Sequence, residues 1–170
     1  MQMTNFDAGT PVARIRKAER RDTPRLLEMI AALAAHHGDD ASPTAYSLER
    51  DLFGPTACSQ ALLAERDGAV VGYALLSCSP HLQWGRRVMD LNHLFVEPEQ
   101  RGSGVGRFLV AAAVAEARRQ ECGQMGVSTH PDNEKAQGLY LSLGFSERPA
   151  GGKRFRLELP ANGALPEGWI

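Results

Sequence analysis

The period of apolar residues changes several times along the chain, and each change marks an element. Ala13 and Ile15 alternate with Val12, Arg14 and Arg16, the period-two pattern of a strand. Asp22 then precedes Thr23-Pro24, the arrangement of an N-cap with proline in the first turn. Leu26, Leu27, Ile30, Ala31, Leu33 and Ala34 follow at helical spacing, and Gly38 is the stop. Residues 39–44 read as loop. Ser47, Leu48, Leu52 and Phe53 predict a short second helix that ends at Gly54-Pro55. Two apolar runs, 61–66 and 70–77, flank Asp67-Gly68, a pair able to supply positive φ, so a hairpin is expected. Residues 87–96 read as a strand ended by Pro98. A helix over 104–120 carries Val105, Phe108, Leu109, Ala112 and Ala113 on one broad face, with Gly123 as its stop. A strand over 125–129, a helix over 133–143 closed by Gly144, and a last alternating strand over 154–159 complete the chain.

The order is β-α-α-β-β-β-α-β-α-β, without internal repeat or linker. Interleaved helices and strands predict an α/β layer, a mixed sheet with helices on both faces. The 170 residues fit one domain, 12–159, between polar Gly/Pro-bearing tails at 1–11 and 160–170. Nineteen Lys and Arg against 20 Asp and Glu give a formal charge of −1, which argues against a strongly basic nucleic-acid binder and an acidic disordered chain. Three scattered cysteines, Cys58, Cys78 and Cys122, without a CxxC, point to a reducing cytoplasm rather than a disulfide framework. The N-terminus has no basic-then-apolar signal, and the longest apolar run, 109–115, is far short of a membrane span. No membrane partner is expected.

The densest chemistry lies at Gln100-Arg101-Gly102-Ser103-Gly104-Val105-Gly106, between a strand and a strong helix. A glycine-rich strand-to-helix turn leaves backbone N–H groups free at the positive end of the helix dipole, which suits a pyrophosphate. The turn is not a P-loop, because GxxxxGK followed by Ser or Thr is absent. It is not the Rossmann fingerprint either, because Arg107 stands at the third glycine position of GxGxxG.

Arg101-x-x-Gly104-x-Gly106, after Leu94-Phe95-Val96-x-Pro98, resembles the acetyl-coenzyme A signature of the GNAT superfamily of N-acetyltransferases. Asn133-x-x-Ala136-x-x-Leu139-Tyr140-x-x-Leu143-Gly144-Phe145 is similar to the family's second signature. Within the superfamily, the run from Leu91 to Gly106 and the ending Lys153-Arg154-Phe155-Arg156-Leu157 look closest to the branch that acetylates polyamines, thialysine and similar small amines. The resemblance implies a mostly antiparallel sheet of six to seven strands with helices on both faces. It implies direct transfer of an acetyl group from acetyl-CoA to a primary amine of a small molecule or peptide. It also implies a fold in which homodimers are common, and no metal.

The resemblance further implies where the cosubstrate lies. The backbone of Arg101, Gly102, Ser103, Gly104, Val105 and Gly106 would hold the pyrophosphate, with Arg107 in the first helical turn beside it. Leu94, Phe95 and Val96 would pair with the pantetheine arm. Asn133 and Ala136 would contact that arm from the second helix, and Tyr140 would lie by the sulfur as donor or acid. For the base, alternation places Asp90 and Asn92 on one face of their strand and His93 on the other. Asp90, directly or through water, is the first candidate and His93 the second, since an imidazole near pKa 6.5 can accept a proton. The polyamine branch carries an acidic pair where this chain has Asn92-His93. That departure keeps a second reading open, a catalytically silent module that binds acetyl-CoA as a sensor or interaction surface.

The acceptor would enter near the segment between the first two helices. Residues 36–56 hold Asp39, Asp40, Glu49 and Asp51 against Arg50, a local charge of −3 that attracts a cationic amine. Asp39, Asp40 and Asn92 are the candidate acceptor contacts. The stretch His36-His37-Gly38-Asp39-Asp40 has metal-binding residue types, but adjacent histidines do not readily converge on one ion, so no metal is expected. The basic segment from Arg14 to Arg25 carries a net +4 but no aromatic platform or recognition motif, so no nucleic-acid partner is expected.

Overall fold

A computed structural model describes residues 12–148. Its elements, in chain order, are strand β1 (Arg14–Lys17), helices α1 (Thr23–His37) and α2 (Ala45–Phe53), and strands β2 (Gln60–Arg66), β3 (Ala69–His81) and β4 (Arg86–Val96). Helix α3 (Val105–Arg119), strand β5 (Cys122–Val127) and helix α4 (Glu134–Ser142) follow. The five strands form one sheet in the order β1-β2-β3-β4-β5. The first four pair antiparallel, and β5 joins β4 in parallel because α3 carries the chain back across the sheet. The strand expected over 154–159 and both tails lie outside the described residues, so the sheet has five described strands where six to seven were expected.

Both faces of the sheet are covered. On one face, Val105, Leu109, Val110 and Ala113 of α3 and Tyr140 of α4 pack on Leu76, Met89 and Leu91. On the other, Leu26 and Met29 of α1 and Leu48 and Leu52 of α2 pack on Leu63, Tyr73 and Phe95. The helical spacing of α1 and α3 exists to supply those apolar stripes. Gly72 is required where β3 meets the end of β4: a Cβ there would lie 2.6 Å from the Phe95 carbonyl oxygen. Among the described residues no helix is long and apolar enough to cross a membrane.

Two local expectations are corrected. Asp22 stands at the N-cap position of α1 but makes no side-chain cap bond. Its carboxylate instead takes two hydrogen bonds from Arg16, at 2.7 and 2.8 Å, and one from the Glu19 N–H. A bidentate pair between opposite full charges outcompetes a single cap bond to a backbone N–H. Gly123 does not stop α3. The turn is made by Glu121, at φ 58°, and Gly123 lies inside β5, which starts three residues before the expected 125 because Arg87 of β4 pairs with Cys122.

The basic N-terminal segment is consumed by ion pairs. Arg16 bridges Asp22 and Glu65, Lys17 reaches Glu116, Arg20 meets Glu49, and Arg25 meets Glu28 and Glu97. Glu116 is buried on α3, and its carboxylate also accepts from Arg119 and Gln120. Those donors, Arg119 foremost and against the cost of burial, pull the carboxyl from the ordinary 4.5 to about 2. A depressed carboxyl stabilises the fold above its unfolded pKa and loses that contribution as pH falls toward the folded one. Glu116→Gln should therefore cost about 1–3 kcal/mol at pH 7. In urea denaturation the gap between variant and wild type should close as the pH is lowered from 5 to 2.

Candidate active site

The site is organised by two irregularities in β4. The first is a bulge. Leu75 of β3 faces His93, whereas Leu76 faces Leu91, so Asn92 is an extra residue without a partner of its own. A bulge reverses alternation beyond it, and here it brings neighbouring side chains to one side. Met89 and Leu91 belong to the core under α3, and so do Leu94 and Val96, which simple alternation would have put on the opposite face. His93 therefore does not face away from Asp90. It lies on the α1 side, with Asp90 and Asn92, and the expectation of opposite faces is corrected.

Contacts fix each of the three. The amide of Asn92 exchanges hydrogen bonds with Ser77 Oγ at 3.1 and 3.2 Å, and Ser77 is the β3 partner of Asp90. Asp90 stands beside Gly126 of β5, where a Cβ would come within 2.7 Å of its Oδ1, so the bare glycine makes room for the carboxylate. The Tyr73 hydroxyl is 3.0 Å from His93 Nδ1. Burial, with a smaller contribution from His37 at the end of α1, pushes the His93 imidazole below its ordinary pKa.

The second irregularity is a parting of strands. β4 pairs with β3 as far as Val96, but with β5 only as far as Leu91. Beyond that point the outward backbone groups of residues 92–96 face no strand among those described. Backbone polar groups in such a place need partners. The Val96 carbonyl takes one from Arg101 Nε, at 3.1 Å. A cleft of about 390 Å³ opens where the strands part, lined by Asp90, Leu91, Asn92, Val127 and Ser128.

At the end of β4 the chain makes a short 3-10 turn, Pro98–Gln100, and enters the glycine segment. Gly102 and Gly104 take φ of 78° and 93°, the left-handed region that favours glycine. Ser103 Oγ donates to the Gln100 carbonyl at 2.6 Å and braces the turn. Among the described residues, none of the backbone hydrogen bonds made by turns, loops and helix ends uses the N–H of residues 102–107. These groups converge at the N-terminus of α3, a strong anion site. Arg107 does not reach over the turn; its guanidinium donates to Ser142 Oγ of α4 at 3.0 Å.

Helix α4 borders the same region. Leu139 lies beside Gly106, and Tyr140 packs in one cluster with Leu94, Val96 and Val127, its ring 5.6 Å from that of Phe145. The Tyr140 ring is buried, but its hydroxyl is not: the hydroxyl makes no hydrogen bond among the described residues, and no buried side-chain oxygen or nitrogen among them lacks a partner. Burial raises its pKa, so the phenol keeps its proton at neutral pH. Asn133 caps α4, its Oδ1 accepting from the Ala136 N–H at 3.1 Å, and Ala136 is half-buried above the core. Asp39 and Asp40 are exposed on the loop after α1 and make no ion pair among the described residues. No group of three or more His, Cys, Asp and Glu side chains there could hold a metal ion. Tyr73, Ser77, Gly126 and His37 enter the site only through the fold. Tyr73 had one sequence signal, a phenol inside an apolar strand, since a buried tyrosine needs a partner for its hydroxyl.

A mixed sheet that opens beside a glycine turn with free amides is the scaffold of a transferase that takes an acyl donor with a phosphate-bearing arm. The profile of the Acetyltransferase (GNAT) family matches residues 17–145, and the chain belongs to that family. It is an acetyl-CoA-dependent N-acetyltransferase by kind. Among its relatives is thialysine N-epsilon-acetyltransferase of Bos taurus, 30% identical over 140 residues, spanning 76% of this chain and 82% of the relative. Aminoalkylphosphonate N-acetyltransferase of Salmonella typhimurium is 29% identical over 140 residues, spanning 81% and 87%. A crystal structure described as a probable acetyltransferase superposes with a TM-score of 0.74 at 28% identity, covering 85% of this chain and 98% of that one.

The glycine turn separates backbone need from space. Gly102→Ala adds a methyl where nothing lies within 4 Å, but at a φ of 78°. It should cost about 1 kcal/mol. Gly106 is helical, and its Cβ would make ordinary contacts at 3.7 Å with Val96 and 3.8 Å with Leu139. Gly106→Ala should be neutral or stabilise by up to about 1 kcal/mol. Thermal melts of the two variants check the opposite signs.

Proposed function

We propose that this chain transfers an acetyl group from acetyl-CoA to the primary amine of a small molecule, with the reacting groups gathered at the β4 bulge. The observation that carries the reading is a conjunction among the described residues: the amides of 102–107 without backbone partners, the edge of β4 beyond Leu91 without a strand, and the Tyr140 hydroxyl without a hydrogen bond. The turn fits a pyrophosphate, and the outward groups of Leu94 and Val96 fit an amide-bearing arm. Bound there, acetyl-CoA would supply the acetyl group as a thioester, its sulfur leaving as a thiolate that takes up the proton the acceptor nitrogen loses on becoming an amide. Two relatives are named for thialysine and aminoalkylphosphonate N-acetylation, which supports a small amine as the acceptor.

The chain's own residues act at two places, the amine proton and the leaving sulfur. A lysine-like amine near pKa 10.4 is neutral in about 1 molecule in 1,000 at pH 7.4, a deficit of about 4 kcal/mol. Asp90, whose carboxylate lines the cleft, takes the amine proton directly or through water. At the other end, an ordinary phenol near 10 giving its proton to a thiolate near 8.5 is already uphill by about 2 kcal/mol. Burial moves Tyr140 further in that direction. Tyr140 therefore stabilises the sulfur as a hydrogen-bond donor and keeps its proton.

Thiol release measured against a panel of diamines, lysine analogues, aminoalkylphosphonates, aminoglycosides and peptide N-termini tests the reading. Turnover is expected with a small primary amine. Calorimetric binding of acetyl-CoA without turnover on any of them would favour the silent module instead. Tyr140→Phe should lower kcat about 10- to 100-fold while leaving the Kd for acetyl-CoA within about twofold, since it removes a hydrogen bond to charge that develops only during reaction. Asp90→Asn should lower kcat/KM by about 10²- to 10⁴-fold.

A further inference from the structure

We propose that Tyr73 is a positioning residue that locks His93 in the tautomer with its proton on Nε2, so that His93 serves the acceptor side of the site as a hydrogen-bond donor and not as its base. The role assigned to His93 rests on the acetyl-transfer reading above; the tautomer itself does not.

Tyr73 is fully buried, and the only hydrogen-bond partner of its hydroxyl among the described residues is His93 Nδ1, at 3.0 Å. Two arrangements satisfy that distance. In one, the phenol donates to Nδ1, and the ring proton sits on Nε2. In the other, Nδ1–H donates to the phenol oxygen, and the phenol's own proton is left inside the core with no acceptor. A buried donor without a partner is the costly outcome, and a neutral imidazole has one acceptor nitrogen to offer. The first arrangement leaves no such orphan.

The surroundings reinforce it. Phe95 is the cross-strand partner of Tyr73, with the two rings 6.0 Å apart, and the His93 ring meets the Tyr73 ring edge-on at 6.0 Å. The rings hold the phenol in place, and no acceptor other than His93 bonds its hydroxyl among the described residues. Adding a proton to Nδ1 would reverse the Tyr73 bond and leave the phenol proton without an acceptor, as well as place a charge beside a buried face, and burial together with His37 already disfavours that charge. With Nδ1 taken, Nε2–H is the group His93 can present, and it gives a hydrogen bond to an acceptor-substrate oxygen or other lone pair. The proton of the amine then falls to Asp90, the carboxylate on the same side of the bulge.

Long-range 1H–15N correlation spectra of the 15N-labelled full chain read the tautomer directly. The His93 ring is identified by the signals that vanish in His93→Gln. At pH 7–8 the expected pattern is a protonated Nε2 and an unprotonated, hydrogen-bonded Nδ1. Tyr73→Phe, checked for its fold by circular dichroism, should shift Nδ1 toward the averaged value of a ring with mixed tautomers. A protonated Nδ1 in the wild type, or an unchanged pattern in Tyr73→Phe, overturns the proposal. If Tyr73→Phe does not fold, the wild-type spectrum decides alone. Where turnover is measurable, His93→Gln keeps a donor and should lower kcat/KM by less than about a hundredfold. A larger loss, in the range of about 10²–10⁴ for a removed base, overturns the donor role. Absence of turnover in the wild type would count against the acetyl-transfer reading and leave the tautomer measurement untouched.

Discussion

In β4, His93 stands opposite Leu75 and Leu91 opposite Leu76, and the unpaired Asn92 between them decides what the site contains. Before the bulge, Met89 and Leu91 serve the core under α3; after it, Leu94 and Val96 do. One strand thus keeps an apolar face intact while turning Asp90, Asn92 and His93 toward the same side. A regular strand of this sequence would have buried His93 under α3, away from Asp90. The departure of β5 after Leu91 belongs to the same stretch, so these side chains and a β4 edge that faces no strand among the described residues occur together.

The rest of the fold holds that stretch still. β3 pairs with β4 along its whole length and contributes Ser77 and Tyr73, each bonded to one bulge residue. Arg25 of α1 reaches both the Val70 carbonyl and Glu97, and the Glu97 N–H donates to the Val71 carbonyl, so the exit from β4 is tied to α1 and β3. Arg101 returns to the Val96 carbonyl, and Arg107 joins the start of α3 to α4. These bonds are individually worth little at a surface. Their joint effect is geometric: the glycine turn, the opened strand and the Tyr140 hydroxyl keep fixed relations to one another.

The electrostatics follow a similar division. A net charge of −1 conceals a basic segment, 14–25, whose cations are paired with Asp22, Glu28, Glu49, Glu65, Glu97 and Glu116. In the proposed reading, anion binding falls to the backbone amides at the start of α3, where the helix dipole and N–H groups without backbone partners among the described residues act together. The acidic loop after α1 keeps Asp39 and Asp40 exposed, without fixed partners among the described residues.

The elements were legible because their signals are local. Helical spacing in α1 and α3, Asp67-Gly68 at φ 51° and 79°, and Gly38 at φ 76° each record a preference of a few neighbouring residues. The glycine turn and Tyr140 were legible for the same reason, since a short motif carries them. The end of α3 and the use of Asp22 were not, because strand pairing with Arg87 and ion pairing with Arg16 override local preference. The bulge was the largest omission. Nothing in Leu91-Asn92-His93-Leu94 marks it, since an extra residue in one strand is defined only against its partner's register. The sequence by itself determined the order of the described elements, the glycine turn and the family. Only the tertiary structure decided which side chains face one another across β3, β4 and β5, because register is a relation between strands distant in the chain.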